Sequence, residues 1–188
     1  MDFIDSQRLE FPDLDAAYES LGVFYEKKLW HELSLALEEF LRVPANNRGT
    51  NFRRLYTDFI TKFDSRLNQV RLALIVSTIG HSYADASEAL ELYQNALKAH
   101  TKLGLDATMC LEMDVVMMQV KLGDVGKANE LLEKGKMSLA TLSSTETVVF
   151  SKFYMAMAEY RKVCRGWFLA HFSHPYSFLA NLKKNLRI

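Results

Sequence analysis

One stretch, Phe24 to Phe40, reading FYEKKLWHELSLALEEF, constrains the fold more than any other. Trp30, Leu33, Leu37 and Phe40 recur at steps of three and four, the spacing that lines one face of a helix. Glu32, Glu38 and Glu39 fall off that stripe and read as a solvated face, and the basic pair Lys27-Lys28 precedes Trp30. Such a segment is built to be packed against. Trp30 is expected deep in a first helical hairpin.

The same period runs along most of the chain. Pro12, Pro44 and Pro175 are the three prolines, each where a helix should be absent or starting. Asp13 is expected to cap a first helix running to about Glu26. The Trp30 helix should stop near Arg42, because Pro44 disfavours a helical residue before it. After a polar loop from Pro44 to Gly49, a third helix carries Phe52, Leu55, Phe59 and Phe63 on one stripe. A fourth, from about Ser65, carries Leu67, Val70, Leu74 and Ile79. Asp85 and Glu88 have capping-box spacing and open a fifth, with Ala89, Leu90, Tyr93 and Leu97 inward.

The sixth helix, about Ala107 to Leu122, differs. Leu111, Val115, Met118 and Leu122 line one face, and Met109, Met113, Val116 and Val120 another. A helix apolar on two faces is covered on both. Gly123 suits a left-handed C-terminal position and Asp124 caps a seventh helix. Ser143 and Glu146 form a second capping box, for an eighth helix carrying Phe150, Phe153, Tyr154 and Met157.

Helix following helix makes the fold class all-α. Shifting the chain by about 39 places sets Ala89, Glu91 and Leu92 over Ala128, Glu130 and Leu131, and Met118 over Met157. Helix pairs recurring at such a spacing mark an α-solenoid of antiparallel hairpins, in which each pair needs its neighbours to bury its apolar face. Residues 1–163 are therefore expected as one helical-repeat domain, resembling tetratricopeptide arrays but without their strict consensus residues. From Cys164 the texture changes. The segment CRGWFLAHFSHPYSFLANLKKNLRI has no acidic residue, is interrupted by Pro175 and ends in Lys183, Lys184 and Arg187. Residues 164–188 are expected as a divergent tail, read either as a basic amphipathic docking segment or as a poorly ordered end.

Composition excludes several classes of function. The 23 basic and 23 acidic residues cancel and are interleaved until the tail, so no footprint for nucleic acid is present. Cys110 and Cys164 do not make a disulfide framework and read as reduced thiols. No run of about 18 apolar residues offers a membrane span, and MDFIDSQRLEF lacks the apolar core of a signal peptide. A cytoplasmic and nuclear protein is expected.

Candidate chemistry is sparse. His171 and His174 can share a helix face, but no Cys, Asp or Glu stands near them to complete a metal site. Cys110 lies among methionines and reads as a small buried hydrophobe. A nucleophilic role for it needs a partner such as His81 or His100. Met109, Met113 and Met117 suggest either an adaptable peptide groove or, more simply, core. The eight glycines are scattered with no phosphate-binding run. The expectation is no catalytic residue, no metal, no cofactor and no small-molecule substrate.

One resemblance sharpens this. Tyr25, Lys27, Lys28, Leu29, Trp30, His31 and Leu33, then Leu55, Tyr56, Phe59, Ile60, Phe63 and Asn68, the Leu122-Gly123-Asp124 turn and the Phe153-Tyr154 pair carry it. Over about Leu14 to Val163 the chain resembles the N-terminal helical half of a family of PCI-domain subunits in the lid of the 26S proteasome, that of non-ATPase regulatory subunit 13. The resemblance implies a right-handed solenoid arm without catalytic residues, a scaffold in ubiquitin-dependent degradation, with other lid subunits as its partners. It also implies that a PCI and winged-helix module follows the arm in the family. The chain stops before such a module, so a truncated or alternatively spliced form is expected. The competing reading is a tetratricopeptide-like adaptor for peptides or proteins outside the proteasome.

Overall fold

A computed structural model describes residues 2–44, 46, 50–99, 103–141 and 147–172. Among them there are helices and turns and no strand. The chain opens with α1 (Asp2–Glu10), a helix that the N-terminal sequence does not announce. It buries Phe3, Ile4 and Gln7. Pro12–Leu14 is a single 3₁₀ turn and α2 follows over Asp15–Glu26. The expected cap by Asp13 is not made, since the position before α2 is Leu14 and carries no side-chain cap.

α2 ends in a turn with a sequence signature. The Lys28 amide donates to the Tyr25 carbonyl, and the Leu29 amide to the Phe24 carbonyl. These two bonds define a Schellman motif, whose penultimate residue must be left-handed. Lys28 adopts that conformation at φ 56°. The chain thereby reverses into α3 (Trp30–Arg42). Leu33, Leu37, Phe40 and Leu41 of α3 are buried as the stripe requires, but Trp30 is only partly so. It stands at the first position of the helix, where its ring stacks on Phe63 (5.9 Å, 12°) and meets Tyr25 edge-on (6.1 Å). The deep burial expected for Trp30 is corrected to a lid on an aromatic cluster.

The third predicted helix is not regular. A short α turn, α4 (Phe52–Arg54), passes into a wide π turn at Leu55–Phe59 and then 3₁₀ turns at Ile60–Lys62 and Asp64–Arg66. Of the expected stripe, Leu55, Phe59 and Phe63 are buried and Phe52 only partly so, while Tyr56 and Ile60, outside it, are buried as well. The uneven winding sets the Phe59 and Phe63 rings edge to face at 5.1 Å, both against Tyr25 at 5.4 and 5.5 Å. α5 begins at Gln69 rather than Ser65 and runs to His81. Its start is fixed by Asn68, whose Oδ1 accepts from the amides of Val70 and Arg71.

α6 (Ala86–Ala99) opens behind Asp85, whose carboxylate accepts from the Ser87 amide and hydroxyl. Those bonds hold the Asp85 carboxyl below the usual range. α7 (Leu105–Lys121) is buried without interruption from Met109 to Val120, and it packs against α5 and α6 as well as α8 (Val125–Thr141) and α9 (Thr147–Phe172). The two-faced apolar pattern thus has its cause: α7 is the inner layer of the array. A second Schellman motif ends it, with Gly123 at φ 81° and the Asp124 amide on the Gln119 carbonyl. The Asp124 carboxylate takes the Lys127 ammonium at 2.6 Å. α9 crosses the expected boundary at Cys164 as one helix, turning Val149, Phe153 and Ala156 inward. Tyr154, grouped in the sequence with Phe153, is exposed, because it stands about 100° round the helix from the Val149-Phe153-Ala156 seam. The Ser143–Glu146 capping box and the tail after Phe172 lie outside the described residues.

Candidate functional site

Polar chemistry concentrates at one point between α5, α6, α7 and α9. Asp114, in the middle of α7, is 0% exposed. Lys152 reaches it from α9, and Nζ donates to both carboxylate oxygens at 2.7 Å and to Ser77 Oγ at 2.6 Å. The Ser77 carbonyl, on α5, accepts from Tyr93 Oη of α6 at 3.1 Å and lies 2.7 Å from His81 Nδ1. A carbonyl only accepts, so that contact assigns the imidazole hydrogen to Nδ1. His81 Nε2 then faces Asp114 Oδ1 at 3.8 Å. Burial, reinforced by the Asp114 charge, raises the Tyr93 phenol far above its ordinary range and keeps it a neutral donor.

Gly80 makes room for this seam. A Cβ there would lie 2.4 Å from Tyr93 Cζ and Oη, so the ring occupies the space a side chain would need. A second buried carboxylate of α7, Glu112, accepts from Lys134 Nζ of α8 at 2.5 Å. Periodicity alone does not single out either pair. The signal was present, however, because Glu112 and Asp114 are charges inside a helix read as covered on two faces, and buried charges require partners.

The other candidates from the sequence are scattered. Cys110, Met109, Met113 and Met117 are core residues of α7, which makes a methionine-lined groove the wrong reading. His81 is engaged in the polar seam. His100 and His174 lie outside the described residues, and His171 falls in α9 without a described side chain. Among the described residues no group of three or more His, Cys, Asp or Glu is placed to hold a metal ion, and no helix is long and apolar enough to cross a membrane. Of the acidic residues of α3, Glu38 is not simply solvated, since it accepts from Arg71 of α5 at 2.9 Å. Tyr56 is pushed up to about 12 by burial, and Tyr18 is raised for the same reason.

Two outer features can meet other molecules. A depression of about 480 Å³ between the Thr50–Arg53 stretch and the start of α6 is lined by Tyr83, Glu88 and Arg53 among others, with Arg53 bridging the other two. Its Nη2 lies 3.4 Å from Glu88 Oε2, and its guanidinium stands 5.8 Å from the centre of the Tyr83 ring. On the outer side of α9, Tyr154 (65% exposed) and Met155 (56%) leave apolar surface uncovered. Large exposed apolar side chains set close together mark contact surfaces more often than scattered ones do.

Helix pairs stacked around a central helix, whose buried Glu112 and Asp114 are paired with lysines of neighbouring helices, define the class: a helical-repeat protein. The chain matches the family described as PSD13 N-terminal repeats over residues 17–187, and it belongs to that family. The match continues well past Val163, where the resemblance read from individual residues stops. Among curated relatives, it is 27% identical over 184 residues to 26S proteasome non-ATPase regulatory subunit 13 homolog B of Arabidopsis thaliana, covering 96% of this chain and 47% of the relative. It is 22% identical over 163 residues to 26S proteasome non-ATPase regulatory subunit 13 of Dictyostelium discoideum (85% and 42%). The 26S proteasome regulatory subunit RPN9 of Saccharomyces cerevisiae is 26% identical over 165 residues (80% and 41%). The chain spans about half the length of the curated relatives it matches.

Proposed function

We propose that this chain is a non-catalytic, right-handed solenoid arm of the regulatory lid of the 26S proteasome. It supports lid assembly, and through it ubiquitin-dependent degradation, in cytoplasm and nucleus. Its partners are other lid subunits, met through outer faces such as that of the exposed Tyr154 and Met155 on α9. The observation that carries this reading is the family match over residues 17–187, together with relatives named as regulatory subunits of that particle. The physics agrees: stacked hairpins give a long, stiff surface whose curvature is set by small rotations between pairs. Binding strength on such a surface comes from a few buried anchors.

The direct experiment expresses the tagged chain and resolves the lysate on a native gel. Comigration with intact proteasome is expected. Migration only as free protein removes the lid reading. In that case the Arg53-Tyr83-Glu88 depression favours the second reading, a tetratricopeptide-like peptide-binding adaptor.

A further inference from the structure

The seam between α7 and α9 has a property that its apolar side chains cannot supply. Val149, Phe153 and Ala156 follow one another at helical steps on the inner face of α9. Sliding α9 by one turn, about 5.4 Å, sets Phe153 where Val149 stands and Met157 where Phe153 stands, apolar for apolar, and brings Tyr160 to the Ala156 position. The opposing surface has one adaptable point, because Met113 of α7 and the Phe153 ring converge beside Gly135 of α8, and a methionine refills gaps with little strain. Apolar burial therefore distinguishes the registers of α9 only by the size of the side chains and not by their chemistry. The register of α8 needs no such selection, since the tight Leu122-Gly123-Asp124 turn joins it directly to α7. α9 has no comparable covalent tie to α5 or α7.

We propose that the Asp114–Lys152 pair, with Ser77, selects the register in which α9 stacks on α5 and α7, and that it does so at no net gain in stability. In the observed register, one ammonium satisfies both Asp114 oxygens and the Ser77 hydroxyl. A slip of one turn brings Val148 or Ala156 opposite Asp114 and strands two charges in a dry seam, since Asp114 is fully buried and the Lys152 side chain only 12% exposed. Removing one partner of a buried pair is strongly unfavourable, whereas replacing both by apolar groups is often neutral. That asymmetry is what a register lock requires. The Glu112–Lys134 pair discriminates less, because the Lys134 side chain is 60% exposed and keeps its water after a slip. The lock is a property of the fold and stands whether or not the chain joins a proteasome.

The test uses the full chain, labelled with ¹⁵N, and three forms of the seam. The wild type should show one amide resonance for each residue from Thr147 to Arg165. The variant Ser77→Ala/Asp114→Leu/Lys152→Met should melt at the wild-type temperature or above it. It should also show a second set of α9 resonances with at least about a tenth of the intensity, a minor register now populated. The swapped pair Asp114→Lys/Lys152→Asp should return α9 to a single set, a rescue that simple space-filling would not produce. The proposal is overturned if the apolar variant keeps a single set, if it fails to fold, or if the swapped pair leaves α9 split.

Discussion

Replacing Gly80 by alanine strikes the closest approach that any described glycine makes to a neighbour. In an exposed helix interior that change stabilises by up to about 1 kcal/mol, because glycine loses more backbone freedom on folding. Here the new Cβ would stand 2.4 Å from Tyr93 Cζ and Oη and 2.5 Å from Cε1, well inside contact distance. The ring cannot swing outward into water, since Tyr93 is wholly buried between α5, α6 and the polar seam. Forcing it aside costs roughly 1–3 kcal/mol by overpacking. Breaking its bond to the Ser77 carbonyl adds roughly 0.5–1.5 kcal/mol. The net expectation for Gly80→Ala is a loss of about 1–3 kcal/mol after subtracting the gain in helix propensity. For a chain of this size that is a fall in Tm of roughly 2–12 °C. Urea denaturation of four proteins closes the argument: wild type, Gly80→Ala, Tyr93→Ala and the double variant. With the ring gone, Gly80→Ala should change sign and stabilise by up to about 1 kcal/mol. A Gly80→Ala protein as stable as wild type, or the same loss in both backgrounds, would refute the packing account of α5 against α6.

Three further outcomes follow from local geometry. Trp30→Ala should cost about 1.5–3 kcal/mol rather than the 3–5 typical of a fully packed tryptophan, because the ring is a partly open lid on Phe63 and Tyr25. A loss above that range in urea denaturation would show that Trp30 is buried after all. Lys28→Gly should stabilise by about 0.5–1 kcal/mol, since relief of the left-handed conformation exceeds the freedom glycine adds to the unfolded chain. A destabilised Lys28→Gly would mean that the side chain itself holds the turn. Gly123→Ala should move the other way by about 1 kcal/mol, for the same reason at the end of α7, and an unchanged melting curve would contradict that turn.

Much of the array is legible in the amino-acid order, and the misses have physical causes. α3, α6 and α7 stand where three-and-four spacing puts them. Spacing depends only on which side chains must be dry, and Leu33, Tyr93 and Met113 are all buried. The Leu122-Gly123-Asp124 turn is readable because glycine is cheap at positive φ. The equivalent turn at Lys28 is hidden, since lysine takes that conformation only under tertiary pressure. The irregular winding from Phe52 to Arg66 is equally hidden, because its buried residues are those of an ordinary helix and the deviation lies in the backbone. Trp30 lies shallower than its stripe implies, because a stripe says which side a residue faces and not how near the end of a helix it stands. The polar seam escapes any local reading. Asp114, Ser77 and Lys152 are brought together from separate helices, and only the charges within an otherwise apolar α7 hint at it.

Stacking around α7 is the claim on which the rest depends, and amide hydrogen exchange under native conditions measures it most directly. Amides from Met109 to Val120 should exchange the most slowly in the molecule, near the rate of global unfolding, with protection declining outward through α5 and α9 to α1. Exchange in that stretch as fast as in α1 would mean that no helices close over it, and the array described above would not exist.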